Sequence, residues 1–255
     1  MQKETLKNIR IVISSGSRKS LTNWKSCGLI SPLFSWDTVL SMGYNSVMSI
    51  EKIKYALGFL LGKDDLVPAL ATVLDRCHCQ QGIRFYEIKK IAGEEAEELL
   101  LLAWDWKLLL PRRSGQCAEW DDRIMVFKPE EYYEIPNIAY FLLELVADTG
   151  IWDIDTAVRS MFAHMGEAAY DRMPTLTEEA AKLAKNRCIR AADINSACIR
   201  TGLKNRTDAM IAALKGGGII SPKLKSGSPT QRSGSPVYEV HPVVIELYRN
   251  PIGGQ

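Results

Sequence analysis

Apolar residues recur at helical spacing near the C-terminal end of the chain, where a short break divides them into two helices. The first predicted helix covers residues 191–201 and ends at Gly202, because glycine enters the left-handed backbone region without steric cost. Asn205 is a favourable N-cap for the second helix, which we predict to run to about Lys215. The positions expected to be buried are Ile194, Ala197 and Cys198 in the first helix, and Thr207, Met210, Ile211 and Leu214 in the second.

Two short apolar strands follow this helix pair, at residues 219–220 and 237–240, and a loop of Ser, Gly and Pro joins them. The order helix, tight turn, helix and β-hairpin resembles the winged helix-turn-helix superfamily. The turn at 201–203 and the closing strand at 238–242 carry the resemblance, which extends over about residues 175–243. It implies a domain that sets its second helix against DNA and grips the duplex with the loop between the strands, called the wing.

Basic residues are concentrated on the same stretch of the chain. Between Lys182 and Arg232 the sequence has eleven Lys or Arg and two acidic residues, which gives a net charge of +9. The whole chain has a net charge of +2, so the other residues together carry −7. A basic cluster on this motif is the electrostatic footprint expected for a polyanionic partner. A solvated basic surface without a partner is the simpler alternative.

The resemblance implies a set of contacts with double-stranded DNA. Arg206 is the best candidate for reading a base, through a bidentate contact with guanine, while Lys204 and Lys215 would hold phosphates. The basic residues of the wing would grip the backbone or enter the minor groove. Ala209 and Ala212 would face the groove, and their small side chains predict modest sequence specificity. The full predicted set is Lys204, Asn205, Arg206, Asp208, Ala209, Ala212, Lys215, Lys223, Lys225 and Arg232.

A second stretch, at about residues 66–128, repeats this order of elements. We predict helices from Asp64 to about Cys79, over 85–92 and over 94–106, followed by a strand at 123–127. Five acidic residues and one lysine give the third helix and its end a net charge of −4, which would repel phosphates. Because that helix is apolar nearly all round, we expect it to be buried or at an interface, and the unit to serve in assembly or protein contact. An unrelated helical pair with a hairpin is the alternative.

The remaining segments flank or connect these units. Amphipathic helices at 137–149 and from Asp153 to about 165 form either a linker, within residues 131–173, or a dimerisation surface. A homodimer or a protein partner would use the helices at 94–106 and 137–165. Thr175 and Glu178 form a capping box that opens the C-terminal unit, at 174–250. Residues 1–50 are predicted to be an irregular segment packed on the body, ahead of the acidic unit at 51–130.

Other chemistry finds little support in the sequence. Cys77 and Cys79 lack a second ligand pair at the spacing of structural zinc sites, so we expect neither a metal nor a cofactor. The chain has no phosphate-binding loop and no nucleophile elbow, so we do not expect an enzyme. No apolar run approaches the ~18 residues of a membrane span and no leader pattern opens the sequence, so we expect a cytoplasmic protein without a membrane partner.

These patterns predict a mainly α fold with short β-hairpins, in which two winged-helix-like units are joined by a helical linker. The function expected from them is DNA binding, as in a transcriptional regulator, through the basic C-terminal unit. The alternative is a winged-helix scaffold that binds other proteins without binding DNA, which the acidic first unit favours.

Overall fold

A computed structural model describes residues 46–62, 64–112, 120, 123–223 and 235–250. Most of these residues lie in α-helices, and two small antiparallel sheets accompany the helices. The predicted fold class, mainly α with short β-hairpins, is therefore confirmed. The irregular segment predicted for residues 1–50 lies outside the described residues as far as position 45, and a helix begins at Ser46.

The first unit, residues 67–134, follows helix α1 (Ser46–Leu61). Its elements are α2 (Val67–Gln80), β1 (Ile83–Arg84), α3 (Phe85–Ala92), a 3₁₀ turn (Gly93–Glu95), α4 (Ala96–Asp105), β2 (Leu110–Pro111) and β3 (Tyr132–Glu134). Pro68 lies in the first turn of α2, where its missing N–H costs nothing. The apolar face of α1 packs along α2, with Ile53, Leu57 and Leu74 almost completely buried.

Two bridging helices separate the first unit from the second. They are α5 (Asn137–Thr149) and α6 (Ile154–His164), and a 3₁₀ turn (Tyr170–Arg172) follows them. Asp153 caps α6, because its carboxylate accepts the amide N–H of Thr156 at 2.9 Å.

The second unit, residues 173–249, contains the rest of the described elements. They are α7 (Met173–Leu183), β4 (Cys188–Arg190), α8 (Ala191–Arg200), a 3₁₀ turn (Lys204–Arg206), α9 (Thr207–Gly216), β5 (Ile220–Pro222), β6 (Val237–Val240) and α10 (Pro242–Arg249). Both units thus contain the order helix, strand, helix, helix, strand, strand; the next helix is α5 after the first unit and α10 at the end of the second.

The two sheets share one topology. In each, the last strand lies in the middle and pairs antiparallel with the other two, giving the orders β1-β3-β2 and β4-β6-β5. In the first sheet Ile83 is opposite Tyr133, and in the second Ile189 is opposite Tyr238. Both first strands contain the dipeptide Ile-Arg, in which the isoleucine is buried and the arginine is exposed. The two units are therefore an internal repeat, and each copy contains one three-stranded sheet.

The apolar faces of α5 and α6 are used inside the chain. Helix α5 packs on α1 and α6, and α6 packs on α7. The predicted apolar positions that the structure buries are Ile138, Leu142, Val146, Ala157, Met161 and Phe162, whereas Phe141, Leu145 and Met165 are half-buried. This burial favours the linker interpretation over a dimerisation surface built from the same residues.

The bridging helices also contact the end of α9. The amide N–H of Ile138 donates to the carbonyl oxygen of Gly217 at 3.0 Å, and the Asn137 side-chain amide donates to that of Gly216 at 2.9 Å. A Cβ atom on Gly217 would come within 2.6 Å of Met161 Cε. The glycine therefore allows α9 to approach α6 closely.

Three local predictions were wrong. Residues 123–127 form no strand. Instead Tyr132–Glu134, inside the predicted linker, pairs with β2, and Tyr133 is completely buried in that strand. The C-terminal unit does not open on a capping box, since Thr175 lies inside α7 and Arg172 is its N-cap. Asn205 is not the N-cap of the following helix, because it lies within a 3₁₀ turn and Arg206 precedes the first residue of α9.

Candidate nucleic-acid interface

Helix α9 has one buried face and one exposed face. Met210 and Leu214, one turn apart, are completely buried against the core of the second unit. Asp208, Ala209 and Ala212 are exposed on the opposite side. The spacing of these three positions follows the helical period, so they form a continuous free surface. This surface is the one that the sequence assigned to the DNA groove.

The turn between α8 and α9 fixes the start of this surface. Gly202 has φ +75°, a conformation that glycine adopts without strain. The buried Leu203 donates its amide N–H to the carbonyl oxygen of Cys198 at 2.7 Å. Thr207 Oγ1 donates to the side-chain oxygen of Asn195 at 2.9 Å, which joins α9 to α8 directly. The two helices are therefore held as one rigid pair.

Arg206 lies at the start of α9 but is engaged within the chain. Its Nη2 is 2.8 Å from Oε1 of Glu167, whose side chain is only 12% exposed. Glu167 also accepts the amide N–H of Ala169 at 2.8 Å, so the carboxylate is itself held in place. To read a base, Arg206 would have to exchange this carboxylate for the edge of a guanine. Its role as a base reader remains a prediction.

The other predicted contacts surround the exposed face. Lys204 and Asn205 are exposed, and Lys215 is half-buried at the far end of the helix. Lys223, directly after β5, is exposed, and its ammonium donates to Cys188 Sγ at 3.1 Å. Two predicted wing residues, Lys225 and Arg232, lie outside the described residues.

Part of the net charge of +9 that residues 182–232 carry is compensated by carboxylates elsewhere in the chain. Arg187 pairs with Asp105 of the first unit at 3.2 Å, and Arg200 pairs with Glu179 at 2.8 Å. Pairs this exposed contribute little to stability because water screens them. Within each pair the two opposite charges also partly offset one another.

The sequence did not single out Arg172, although it lies beside the turn. Its Nη1 would be 3.3 Å from a Cβ atom on Gly202. Arg172 belongs to the 3₁₀ turn before α7 and is exposed. No sequence signal places it there, because the two positions meet only through tertiary packing.

Helix α4 corresponds in the repeat to α9, but its surface is different. Its exposed residues include Glu97, Glu98 and Asp105, and Glu94 and Glu95 are exposed just before it. Leu101, in the middle of this surface, is 53% exposed. The predicted acidic character of the helix is thus found on its solvent side, while Leu99, Leu100 and Ala103 face the core.

The segment between β2 and β3 of the first unit reaches the second unit through Trp120. This side chain is 1% exposed, and its amide N–H donates to Ser221 Oγ at 2.8 Å. The ring meets His241 edge to face at a centroid distance of 5.5 Å. Burial lowers the pKa of His241 to about 3; the hydrogen bond to the Lys107 carbonyl opposes this shift, and the positive charges of Lys107 and Arg187 add to it. His241 is therefore neutral at physiological pH.

The Cys77-His78-Cys79 sequence is not arranged as a metal site. Cys77 is buried and burial raises the pKa of its thiol, whereas Cys79 is exposed on another side of α2. His78 stacks on Tyr140 with ring centroids 4.2 Å apart, and burial lowers its pKa to about 4. Within the described residues, no group of three or more His, Cys, Asp or Glu is placed to hold a metal ion.

Among the helices that the structure describes, none is both long enough and apolar enough to cross a membrane.

Comparison with known proteins yields a family assignment only. The chain matches no curated protein and no solved structure. A protein-family model matches residues 51–250, which begin in the first helical turns of α1 and end just beyond α10. The match therefore includes both units and the helices that bridge them. Because it covers most of the 255 residues, the chain belongs to the protein family that this model describes.

Proposed function

We propose that this chain is a cytoplasmic DNA-binding protein that acts as a transcriptional regulator. In this proposal the second unit is a winged helix-turn-helix, and it contacts double-stranded DNA through α9 and the wing. The first unit is a second copy of the same design that has no duplex contact of its own.

The free face of α9 is the observation that carries the proposal. In a winged helix-turn-helix the second helix of the pair enters the major groove, which is wide enough to admit an α-helix. Helix α9 occupies that position in the element order, and Asp208, Ala209 and Ala212 are exposed along it. Packing of Met210 and Leu214 on the core accounts for the opposite face.

The chemistry of this face suits backbone recognition more than base reading. Alanine side chains can contact a thymine methyl group but offer no hydrogen bond to a base edge. Asp208 could accept a hydrogen bond from a cytosine amino group. Lys204, Lys215 and Lys223 would supply phosphate contacts, which give affinity without sequence information. We therefore expect strong dependence on salt and modest sequence specificity.

The acidic surface of α4 supports the division of roles between the units. Its carboxylates would be repelled by phosphates, so the first unit would not present this helix to a duplex. The exposed Leu101 within that surface favours the alternative function, a scaffold that binds a protein partner through α4. The alternative predicts no retention on a polyanion, whereas DNA binding predicts retention that salt reverses.

The test is a titration of fluorescein-labelled duplex of mixed sequence with the full chain over a range of salt concentrations. Lys204→Ala with Lys223→Ala should reduce the slope of log affinity against log salt by roughly 1.8, because each phosphate contact contributes about 0.9. Lys54→Ala with Lys52→Ala on α1 removes the same charge outside the second unit and should leave the slope unchanged. Absence of salt-sensitive binding by the unaltered chain would leave the scaffold as the better account.

A further inference from the structure

A groove on the first unit combines aromatic and basic side chains. It lies between α3 and the segment that leads into β3, and its volume is about 350 Å³. Phe85, Tyr86, Lys89 and Lys90 line it from α3, and Phe127 and Pro129 line it from the segment. Glu97 of α4 completes the lining.

The fold holds the two walls of this groove together. The amide N–H of Tyr86 donates to the carbonyl oxygen of Pro129 at 3.2 Å. The amide N–H of Phe85 donates to the backbone carbonyl oxygen of Glu131 at 2.9 Å. The rings of Phe85 and Phe127 meet across the groove with centroids 5.8 Å apart. Because Phe85 is buried and Phe127 is half-buried, their contact anchors the segment to the helix.

The side chains that remain accessible lie on one face of α3. Tyr86, Lys89 and Lys90 follow the spacing i, i+3, i+4, which places them side by side on a helix. Tyr86 is 40% exposed and both lysines are exposed. The ammonium of Lys90 lies 4.9 Å from the centre of the Tyr86 ring. Lys128, on the other wall, is also exposed.

We propose that this groove binds single-stranded nucleic acid. It provides a group for each part of a nucleotide: an aromatic face on which a base can stack, ammonium groups for the phosphates, and a carboxylate that can accept from an exocyclic amino group. Aromatic platforms flanked by positive charge bind single strands without strong sequence preference. The base of one nucleotide stacks on Tyr86, and Lys89 and Lys90 hold the adjoining phosphates.

An acidic peptide is the other polyanion that lysines could attract, but the lining favours the nucleic acid. Glu97 would repel a carboxylate of the peptide, whereas it can accept a hydrogen bond from the amino group of a base. A duplex is also disfavoured, because the acidic surface of α4 adjoins the groove and a second phosphate backbone would meet it. A single strand can follow α3 and avoid that surface.

This inference does not rest on the proposed function of the second unit. The groove and α9 belong to different copies of the repeat, and each carries its own basic residues. One unit for a duplex and the other for a single strand would suit a protein that acts where a duplex is opened.

The experiment measures fluorescence anisotropy of labelled single-stranded oligodeoxycytidylate, its RNA equivalent and a duplex with the full chain. The variant Tyr86→Ala, Lys89→Ala, Lys90→Ala is compared with a control, Tyr55→Ala, Lys54→Ala, which removes an exposed tyrosine and a neighbouring lysine from α1. The groove variant should lose at least about 5- to 100-fold in affinity for the single strands, the range expected for the lost stacked base alone. Its salt slope should fall by roughly 1.4, since two phosphate contacts are removed. The control should bind as the unaltered chain does.

Photocrosslinking supplies a second readout that locates the strand. An oligonucleotide with iodinated cytosine should attach to Tyr86 or Phe127, and attachment to residues of the second unit would overturn the proposal. Equal single-strand affinity of the groove variant and the control would also overturn it, as would displacement of the strand by polyglutamate at equal charge concentration. Duplex affinity should be the same for both variants, so loss of duplex binding alone tests α9 and not the groove.

Discussion

The Nε2–H of His241 donates a hydrogen bond to the carbonyl oxygen of Lys107 at 3.2 Å, and this buried contact joins the second unit to the first. Lys107 lies two residues after the end of α4 in a left-handed conformation with φ +56°, as Gly218 does after the end of α9 in the other unit. Its ammonium also lies above the rings of Trp104 and Trp120. The end of α4 is thus fastened to the neighbouring unit, and so is the segment that contains Trp120.

Ser221→Ala should weaken this junction. It would leave the buried amide N–H of Trp120 without its present acceptor, and an unsatisfied buried donor costs about 1–3 kcal/mol. Urea denaturation of the full chain measures the loss in the free energy of unfolding. Ser160→Ala, at an exposed position on α6, is the matched control and should change stability by no more than about 0.5 kcal/mol. Equal midpoints for the two variants would show that the Trp120 contact does not hold the units together.

Stability should fall as the solution becomes acidic, starting near pH 6.5. Burial lowers the pKa of His241 to about 3 and that of His78 to about 4, whereas both are near 6.5 in the unfolded chain. Below pH 6.5 the unfolded chain therefore binds protons that the folded chain does not. The stabilisation is fully present above this pH and is lost progressively as pH falls towards the folded values.

Each buried histidine should make the free energy of unfolding change with pH by about 1.4 kcal/mol per pH unit. Urea titrations at several pH values between 7 and 5, which bracket the unfolded pKa of about 6.5, measure this slope. His241→Phe should reduce the slope, with His164→Gln as the control for loss of an exposed imidazole. An unchanged slope in His241→Phe would contradict the buried neutral state.

Two glycines in helical conformations should respond oppositely to alanine. Gly58 lies within α1 and has no atom within 4 Å of an added Cβ, so Gly58→Ala should stabilise by about 0.5–1 kcal/mol. Gly217→Ala should destabilise by about 1–3 kcal/mol, because the new methyl group meets Met161 and the buried Phe162. Thermal unfolding of both variants gives the signs. A stabilising Gly217→Ala would show that α6 and α9 are less closely packed than described.

The helices were predictable because their apolar residues follow the helical period over many residues. Buried Met210 and Leu214, and exposed Ala209 and Ala212 on the opposite side, follow from that period alone. The short strands were not predictable in the same way. Ile83–Arg84 and Cys188–Arg190 are too brief to show alternation, and they become strands only by pairing with β3 and β6. Helix α10 was missed because Pro242 was assigned to the end of the closing strand.

The candidate site was predictable in its helix and less so in its contacts. The positions facing solvent on α9 follow from periodicity, and the charge of the region follows from counting. The engagement of Arg206 by Glu167 joins residues 39 positions apart and depends on packing of the turn after α6. The groove beside α3 had a sequence signal, the spacing of Tyr86, Lys89 and Lys90, but its second wall comes from a segment some forty residues later in the chain.

The most direct test of the central claim is duplex affinity after Ala212→Glu. The substitution places a carboxylate on the exposed face of α9 and should leave folding intact, because glutamate is a good helix former at an exposed position. Ala163→Glu makes the same change on the exposed side of α6. In a low-salt anisotropy titration, Ala212→Glu should weaken binding by about 5- to 100-fold, and Ala163→Glu should bind as the unaltered chain does. Equal affinities for the two variants would contradict the account, since α9 would then not face the DNA.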